Sequence, residues 1–230
     1  RKKKTALSFP IVNLSIPFDK IEANILETPI NKFPAFDVLT EKIAQRNISK
    51  ILCIGIGDLC CSASARLQLS FIIGIAKKLE ISDLFYYDPV LCENCKPIVE
   101  KLGFQCGDKN LNGCYKFDHH FAFYMPHCPR FLYHNMISFN LNKEQLSELF
   151  IIGNSFANYE EQVRLFLQPK KTLVEDLYLT GAVNETSLNF LNNEVFDQIS
   201  LMSVDSSKLP DTNDPFWTPQ ELMYQQNHEL

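Results

Sequence analysis

The stretch ILCIGIGDLC, residues 51–60, decides how this chain is expected to fold. Residues 50–56 form an apolar run with the length of a buried strand, and Gly55 and Gly57 mark its end. Residues 62–79 follow with apolar side chains at helical spacing, over a stripe too wide for a surface helix. A strand that passes through a glycine turn into a helix indicates an α/β protein. The two glycines then have two explanations, because either a ligand approaches the backbone there or the turn only has to be tight.

The rest of the chain continues this alternation of strand and helix. The spacing of apolar residues predicts helices over 33–47, 62–79, 92–104, 129–140, 141–149 and 159–168. Short apolar runs predict strands over 50–56, 83–88, 104–106, 121–125 and 149–155, with an edge strand inside 195–204. The pattern favours an α/β fold of the Rossmann-like kind, an open, mostly parallel, doubly wound sheet with helices on both faces.

The domain organisation follows from the composition along the chain. Residues 1–204 are expected to form a single α/β domain. Residues 205–230 are polar and contain prolines, which predicts a C-terminal tail. The tail holds the one tryptophan of the chain, and Phe216 and Trp217 are expected to dock onto the domain because docking buries their rings.

Charge and hydropathy exclude several classes of function. The formal net charge of −5 argues against binding to nucleic acid through bulk positive charge, and the basic run at residues 1–4 is expected to be a solvated tail. No stretch approaches the roughly 20 apolar residues of a membrane span. We therefore expect a cytoplasmic, and also nuclear, protein whose partner is a protein or a small molecule. The eight cysteines are expected to be reduced thiols.

Polar residues stand at four predicted strand ends. In an open parallel sheet, ligands bind outside the carboxyl ends of the strands, so these residues are expected to share one crevice. They come from the Gly-Ile-Gly-Asp, Asp-Pro, Pro-His-Cys and Gly-Asn-Ser segments. With two residues of the following helix, the candidate ligand-binding set is Gly55, Gly57, Asp58, Ser64, Arg66, Asp88, His127, Cys128, Asn154 and Ser155.

The role of the first two strand ends stays open at this level. The third glycine of a G-x-G-x-x-G motif would fall at Cys60, and Asp58 places a negative charge where a pyrophosphate would bind. Asp88 lies 31 positions after Gly57, where a dinucleotide fingerprint expects roughly 20. Asp88 is therefore expected either to bind the hydroxyls of a ribose or to cap the next helix.

Cysteines carry two further hypotheses. Cys128 stands at the start of a predicted helix, which favours a thiolate, and a thiolate beside His127 is able to ligate haem iron. The CENC segment, residues 92–95, is read as a thioredoxin-like redox pair, as half of a zinc site completed by Cys106 and Cys114, or as two cysteines packed on one face of a helix.

The combined motifs resemble a known family. The strings CIGIGDLCCSASARLQLSFIIGI, FYYDPVLCENCKPIVEKLGF, FYMPHCPRFLYHNMI and FIIGNSF are similar, in this order and spacing, to the sensitivity-to-red-light-reduced (SRR) or SRR-like family. The resemblance covers residues 51–156, with a weaker likeness to about residue 202. The family motif falls on Gly55, Gly57, Ser64, Arg66, Asp88, Pro89, Pro126, His127, Cys128, Gly153, Asn154 and Ser155.

The resemblance implies regulation. The family is associated with circadian-clock input, with regulation of haem biosynthesis and, in fungi, with microtubule-related processes. The segment VFDQISLM, residues 195–202, departs from the late family motif. The alternative is an S-adenosylmethionine- or nucleotide-dependent enzyme of the methyltransferase type, although Ile54 stands where such enzymes carry an acidic residue. No convincing catalytic set is present in the sequence, and S-adenosylmethionine, a nucleotide and haem are the candidate ligands.

Overall fold

The computed structural model describes residues 16–30, 34–165, 171–188 and 194–224. The strands are β1 (Lys50–Ile54), β2 (Asp83–Tyr87), β3 (Phe104–Cys106), β4 (Phe121–Met125), β5 (Phe150–Asn154), β6 (Val183–Ser187) and β7 (Ile199–Val204). The helices are α1 (Phe18–Glu27), α2 (Pro34–Gln45), α3 (Ala63–Lys78), α4 (Lys96–Lys101), α5 (Arg130–Phe139), α6 (Lys143–Ser147), α7 (Phe156–Arg164) and α8 (Leu173–Leu179).

The strands form one mostly parallel sheet in the order β3-β2-β1-β4-β5-β7-β6. Strands β1 to β5 pair in parallel, so their carboxyl ends lie along one edge of the sheet. The registers place Ile54 opposite Tyr87 and Met125 opposite Gly153. Strand β7 runs antiparallel to both β5 and β6. The predicted mixed α/β fold with a mostly parallel sheet is confirmed.

Helices cover both faces of this sheet, which explains why the parallel strands are apolar throughout. In β1, Ile51 and Cys53 join a core cluster with residues of α1, α2, α3 and α4. Leu52 and Ile54 join a second cluster with residues of α5, α6, α7 and α8. Successive side chains of a strand point to opposite faces, so a strand between two helical layers has no polar side.

Three predicted elements differ from the structure. The strand inside 195–204 is β7, but it lies between β5 and β6 and is not the sheet edge. The edge at this end of the sheet is β6, whose sequence VNETS is too polar to indicate a strand. The helix predicted from residue 92 begins at Lys96, because the Cys95 N–H donates to the Cys92 carbonyl oxygen at 2.9 Å and closes a turn first. The last predicted helix ends at Arg164, and residues 166–170 lie outside the described chain.

The C-terminal segment packs along the face that carries α5. Phe216 and Trp217 are half-buried against the second core cluster, and the Trp217 Nε1–H donates to the Asp211 carbonyl oxygen at 2.8 Å. Further along, the buried Asn135 amide bonds to both the N–H and the carbonyl oxygen of Met223. Among the helices of the described residues, none combines the length and apolar character that crossing a membrane requires.

Candidate functional site

The glycine turn after β1 is shaped by the protein's own packing. Gly55 has φ +65° and Gly57 has φ +101°, which are backbone conformations that glycine adopts without strain. A Cβ atom on Gly55 would lie 2.6 Å from the Cys128 sulfur, far inside van der Waals contact. The lack of a side chain at Gly55 therefore makes room for the Cys128 thiol, which lies between β4 and α5. Gly57 has no such close neighbour, since an added Cβ would meet the Ala65 Cβ at 3.6 Å.

Asp88 holds this glycine turn in place. Its Oδ2 accepts the Gly57 N–H at 2.6 Å, and its Oδ1 accepts the Val90 N–H at 2.8 Å. The expected cap on the next helix is wrong, because α4 begins eight residues later at Lys96, and Asp88 bonds to the turns beside it. The carboxylate thus joins the loop after β1 to the loop after β2. Each oxygen keeps a second lone pair that a ligand hydroxyl can approach.

His127 and Asn154 meet at the ends of β4 and β5. His127 has φ +56°, and its N–H donates to the Asn154 Oδ1 at 2.7 Å. The Asn154 amide group donates to the Cys128 carbonyl oxygen at 3.0 Å and to the Tyr159 hydroxyl at 2.8 Å. The His127 Nε2 lies 2.8 Å from the Val195 carbonyl oxygen, so this nitrogen carries the proton. In the neutral ring, Nδ1 is then an acceptor.

Cys128 is buried and does not act as a thiolate. Its sulfur donates to the Ile54 carbonyl oxygen at 3.3 Å, and burial raises the pKa of Cys128 to about 12. The thiolate predicted from its place at a helix start is therefore wrong, because desolvation outweighs the helix end. Only 3% of the residue is exposed, which leaves no room for a haem iron at the sulfur.

A crevice opens along the carboxyl ends of β1, β2 and β4. Its volume is about 520 Å³, and five residues of the predicted set line it: Gly55, Gly57, Asp88, His127 and Cys128. Of the described residues that line it, none is a lysine or an arginine, and Asp88 is the acidic one. The sequence analysis did not identify its other walls, which include Tyr87, Asn110, Asn112, Tyr115, Phe131 and Tyr224.

Comparison with known proteins identifies the family. A model of the SRR1 domain matches residues 30–217. The chain belongs to the SRR1 domain family. It is 29% identical over 180 residues to an SRR1-like protein of Drosophila melanogaster, which covers 76% of this chain and 62% of that relative. It is 32% identical over 117 residues to an SRR1-like protein of Mus musculus, which covers 50% of this chain and 47% of that relative.

A plant relative is also similar to this SRR1 domain. The chain is 34% identical over 111 residues to Protein SENSITIVITY TO RED LIGHT REDUCED 1 of Arabidopsis thaliana, covering 47% of this chain and 40% of that protein. The chain thus spans between 40% and 62% of the length of these three relatives.

Five predicted site residues of the SRR1 domain are not among those that line the crevice, and one of them is Asn154, whose hydrogen bonds are described above. Asp58 accepts the Cys60 N–H at 2.7 Å; burial raises its pKa, but the hydrogen bonds from Cys60 and Cys61 lower it overall. Ser155 caps α7 by accepting the Asn158 N–H at 3.0 Å. Ser64 lies in the first turn of α3.

Arg66 is the last of these five residues, and its hydrogen bonds are structural. It is buried and donates to the Asn24 side chain at 3.1 Å and to the Leu59 carbonyl oxygen at 2.8 Å. It also donates to the Cys60 carbonyl oxygen at 3.2 Å. Arg66 therefore ties α1 to the loop between β1 and α3.

The CENC cysteines meet a third sulfur that the sequence analysis did not assign to them. The Cys60 sulfur lies 3.2 Å from the Cys92 sulfur and 3.1 Å from the Cys95 sulfur. Cys106 and Cys114 do not belong to this group, so the predicted completion of a zinc site by them is wrong. The two CENC cysteines also precede α4 in a turn and do not share a helical face.

Residues 107–120 supply several walls of the crevice; their sequence predicts a loop with a short strand, and the structure has no strand among them. Asn112 and Gly113 have φ +49° and +86°, and the turn they form is held by the Asn135 amide, which donates to the Asn112 carbonyl oxygen at 2.8 Å. The Asn-Gly dipeptide is a turn signal that the sequence does carry. Tyr115 reaches the crevice because distant parts of the chain pack together, and no local sequence pattern encodes this packing.

Proposed function

We propose that this SRR1 domain is a regulatory protein whose crevice binds a small adenosyl-type ligand. The observation that carries the proposal is the convergence of Gly57, Asp88 and His127 on one crevice at the carboxyl ends of parallel strands. We also infer a Rossmann-like architecture. The order of β3, β2, β1, β4 and β5 supports it, because that order has its switch point between β1 and β4, beside this crevice.

The charge of the crevice favours a ligand without a polyphosphate. Among its described lining residues, Asp88 is a carboxylate and no side chain is a lysine or an arginine. A di- or triphosphate would bring two or more negative charges close to Asp88 without a cation to offset them. A ribose with free hydroxyls, or a ligand with a positive centre such as the sulfonium of S-adenosylmethionine, is compatible with this charge.

The shape of the crevice supports a flat ring beside the ribose. Tyr87, Tyr115 and Phe131 contribute aromatic surface to its walls. A purine ring stacks on such surfaces and gains about 1–3 kcal/mol per aromatic contact. Haem is disfavoured, because the Cys128 sulfur that would bind its iron is buried behind Gly55.

We infer the biological role from the family resemblance and from the name of a relative. The plant relative is named for sensitivity to red light, and the resemblance implies circadian-clock input and regulation of haem biosynthesis. We infer that ligand binding in the crevice controls contact with a protein partner. We place this activity in the cytoplasm or nucleus.

A methyltransferase-type enzyme is the second candidate. It is favoured by an acidic residue, Asp88, at the end of β2 in a sheet of this order. One feature disfavours it, because Ile54 is buried at the position where an acidic residue would be expected.

Isothermal titration tests the proposal. The chain is titrated with S-adenosylmethionine, S-adenosylhomocysteine, ATP and haem, and the adenosyl sulfur compounds are expected to bind more tightly than ATP. Asp88→Asn should weaken that binding about tenfold or more, or about 1.4 kcal/mol. The matched control is Asp83→Asn, an exposed residue at the other end of β2.

Three outcomes, from this titration and from an assay of methyl transfer, decide between the candidates. Preference for ATP, or equal binding by Asp88→Asn and the wild type, would contradict the ligand assignment. Transfer of a methyl group to a protein substrate in an extract would favour the enzyme. Binding without transfer would favour regulation.

A further inference from the structure

Three cysteines from two loops form a compact group beside the crevice. Cys60 follows the glycine turn after β1, and Cys92 and Cys95 lie in the turn between β2 and α4. Their sulfur atoms all lie within 4.8 Å of one another. All three are free thiols; Cys95 is buried and the other two are half-buried. Across the described residues, no fourth histidine, cysteine or carboxylate atom joins this group.

The spacing of the sulfurs suits a single metal ion. Four ligands placed about 2.3 Å from a tetrahedral zinc ion lie about 3.8 Å apart. The Cys60 sulfur lies 3.2 Å from that of Cys92 and 3.1 Å from that of Cys95, so an ion would have to move these sulfurs apart by about 0.6–0.7 Å. A disulfide joins two sulfurs, whereas Cys60 contacts both of the others.

The turn that carries Cys92 and Cys95 brings their two sulfur atoms together beside that of Cys60. The Cys95 and Lys96 N–H groups donate to the Cys92 carbonyl oxygen at 2.9 and 3.1 Å, and these bonds close the turn. The positions of both sulfurs are therefore set by backbone hydrogen bonds within one short segment.

A positive charge lies next to the group. Arg66 donates to the carbonyl oxygens of Leu59 and Cys60, at 2.8 and 3.2 Å, and so fixes the backbone that presents the Cys60 sulfur. Three thiolates and one divalent ion carry a net charge of −1, which the Arg66 guanidinium offsets. A site of this kind avoids leaving a buried charge uncompensated.

We propose that Cys60, Cys92 and Cys95 bind one Zn²⁺ ion that fastens the loop after β1 to the loop after β2. Binding releases the thiol protons to solvent and transfers no electron. Soft thiolate ligands select Zn²⁺ or Cu⁺, and zinc accepts a fourth ligand from solvent at the half-buried side of the site. The two loops also carry Gly57 and Asp88, so the ion would hold one wall of the crevice. This inference does not depend on which ligand the crevice binds.

Metal analysis of the full chain tests the site. The chain is expressed with added zinc, purified under a thiol reductant, and analysed for metal by mass spectrometry. One zinc per chain is expected. Cys60→Ser, Cys92→Ser and Cys95→Ser should each weaken binding by more than the roughly 10–100-fold that loss of an outer-shell partner costs. Cys61→Ser, at an exposed neighbour, and Cys106→Ser, at the cysteine that the sequence suggested, should retain the metal.

Cobalt substitution gives an independent signal that a misfolded variant cannot imitate. Co²⁺ added to the reduced, metal-free wild type should produce thiolate-to-cobalt charge-transfer absorption and the visible bands of a tetrahedral site. Cys61→Ser should give the same spectrum, and Cys60→Ser should not. Removal of zinc from the wild type by a chelator should lower its thermal midpoint.

Four results would overturn the proposal. The wild type could take up neither zinc nor cobalt after reduction, or it could bind copper in place of zinc. Alternatively, Cys60→Ser could keep its full zinc content, or Cys61→Ser could lose as much zinc as Cys60→Ser. None of them affects the titration with adenosyl compounds, so failure of this site and failure of the proposed function are distinguishable.

Discussion

Gly55→Ala should destabilise the SRR1 domain for two separable reasons. The first is backbone conformation, because φ at Gly55 is +65° and an L-residue in that region costs about 1–2 kcal/mol. The second is a steric contact, because the new Cβ would lie 2.6 Å from the Cys128 sulfur. Overpacking of a core of this kind costs typically about 1–3 kcal/mol. The free energy of unfolding should therefore fall by about 2–5 kcal/mol.

A second glycine separates the two contributions. Gly181 has φ +74°, and an added Cβ would have no heavy atom within 4 Å. Gly181→Ala should therefore lose only the conformational part, about 1–2 kcal/mol. Both variants are compared with the wild type by urea denaturation at equilibrium. The difference between them measures the contact between Gly55 and Cys128.

A double-mutant cycle checks that the contact is with this sulfur. Cys128→Ala removes it, so the double variant Gly55→Ala/Cys128→Ala should lose less than the sum of the single losses, with a coupling of about 0.5–3 kcal/mol. Equal losses for Gly55→Ala and Gly181→Ala, together with additive behaviour in the cycle, would show that packing against Cys128 does not require this glycine. The glycine would then serve something other than tight packing, and a ligand at Gly55 would become the better explanation.

Three further predictions concern other contacts of the fold. Glu175→Gln breaks the 2.8 Å pair with Arg130, and because Glu175 is fully buried the urea-derived stability should fall by about 2–4 kcal/mol; a loss under 1 kcal/mol would contradict it. Asn135→Ala removes two hydrogen bonds to Met223, which costs about 1–3 kcal/mol, so chymotrypsin should cleave the tail roughly 5- to 150-fold faster, and unchanged cleavage would contradict this. Burial raises the pKa of Cys128 to about 12 in the folded state, compared with about 8.5 in the unfolded chain. The buried, protonated thiol therefore contributes its full stability below about pH 8.5, and this contribution is lost as the pH rises toward 12. The wild type should lose stability faster than Cys128→Ala between about pH 9 and 11, and parallel curves would contradict that assignment.

The sequence predicted the parallel part of the sheet well because those strands carry their own signal. A strand buried on both faces is apolar throughout, and β1, β4 and β5 each read that way. The edge strand β6 has the sequence VNETS, in which propensity and hydropathy both fail to indicate a strand. Its pairing with β7 is decided by tertiary contacts.

The site was predictable to the extent that it lies at strand ends. Asp88 and His127 follow directly from the parallel arrangement, which brings carboxyl ends to one edge. The hydrogen-bond partners of these residues could not be predicted from the sequence. The bond from Gly57 to Asp88 and the contact of Cys60 with the CENC turn join loops that are distant in sequence, and they depend on loop conformations that no local pattern specifies. At Cys128 the sequence predicted a property that the structure does not have. Its position at the start of a helix suggested a thiolate, and its burial prevents one.

We propose that the ends of β1, β2 and β4 form one crevice that binds an adenosyl ligand. Amide hydrogen exchange of the full chain, measured with and without saturating S-adenosylmethionine, tests this binding. Protection is expected in residues 55–58, 88–91, 110–115 and 127–132 together, with no change in 183–187. Protection confined to one of the first four segments, or centred on 183–187, would contradict it, as would the absence of any change.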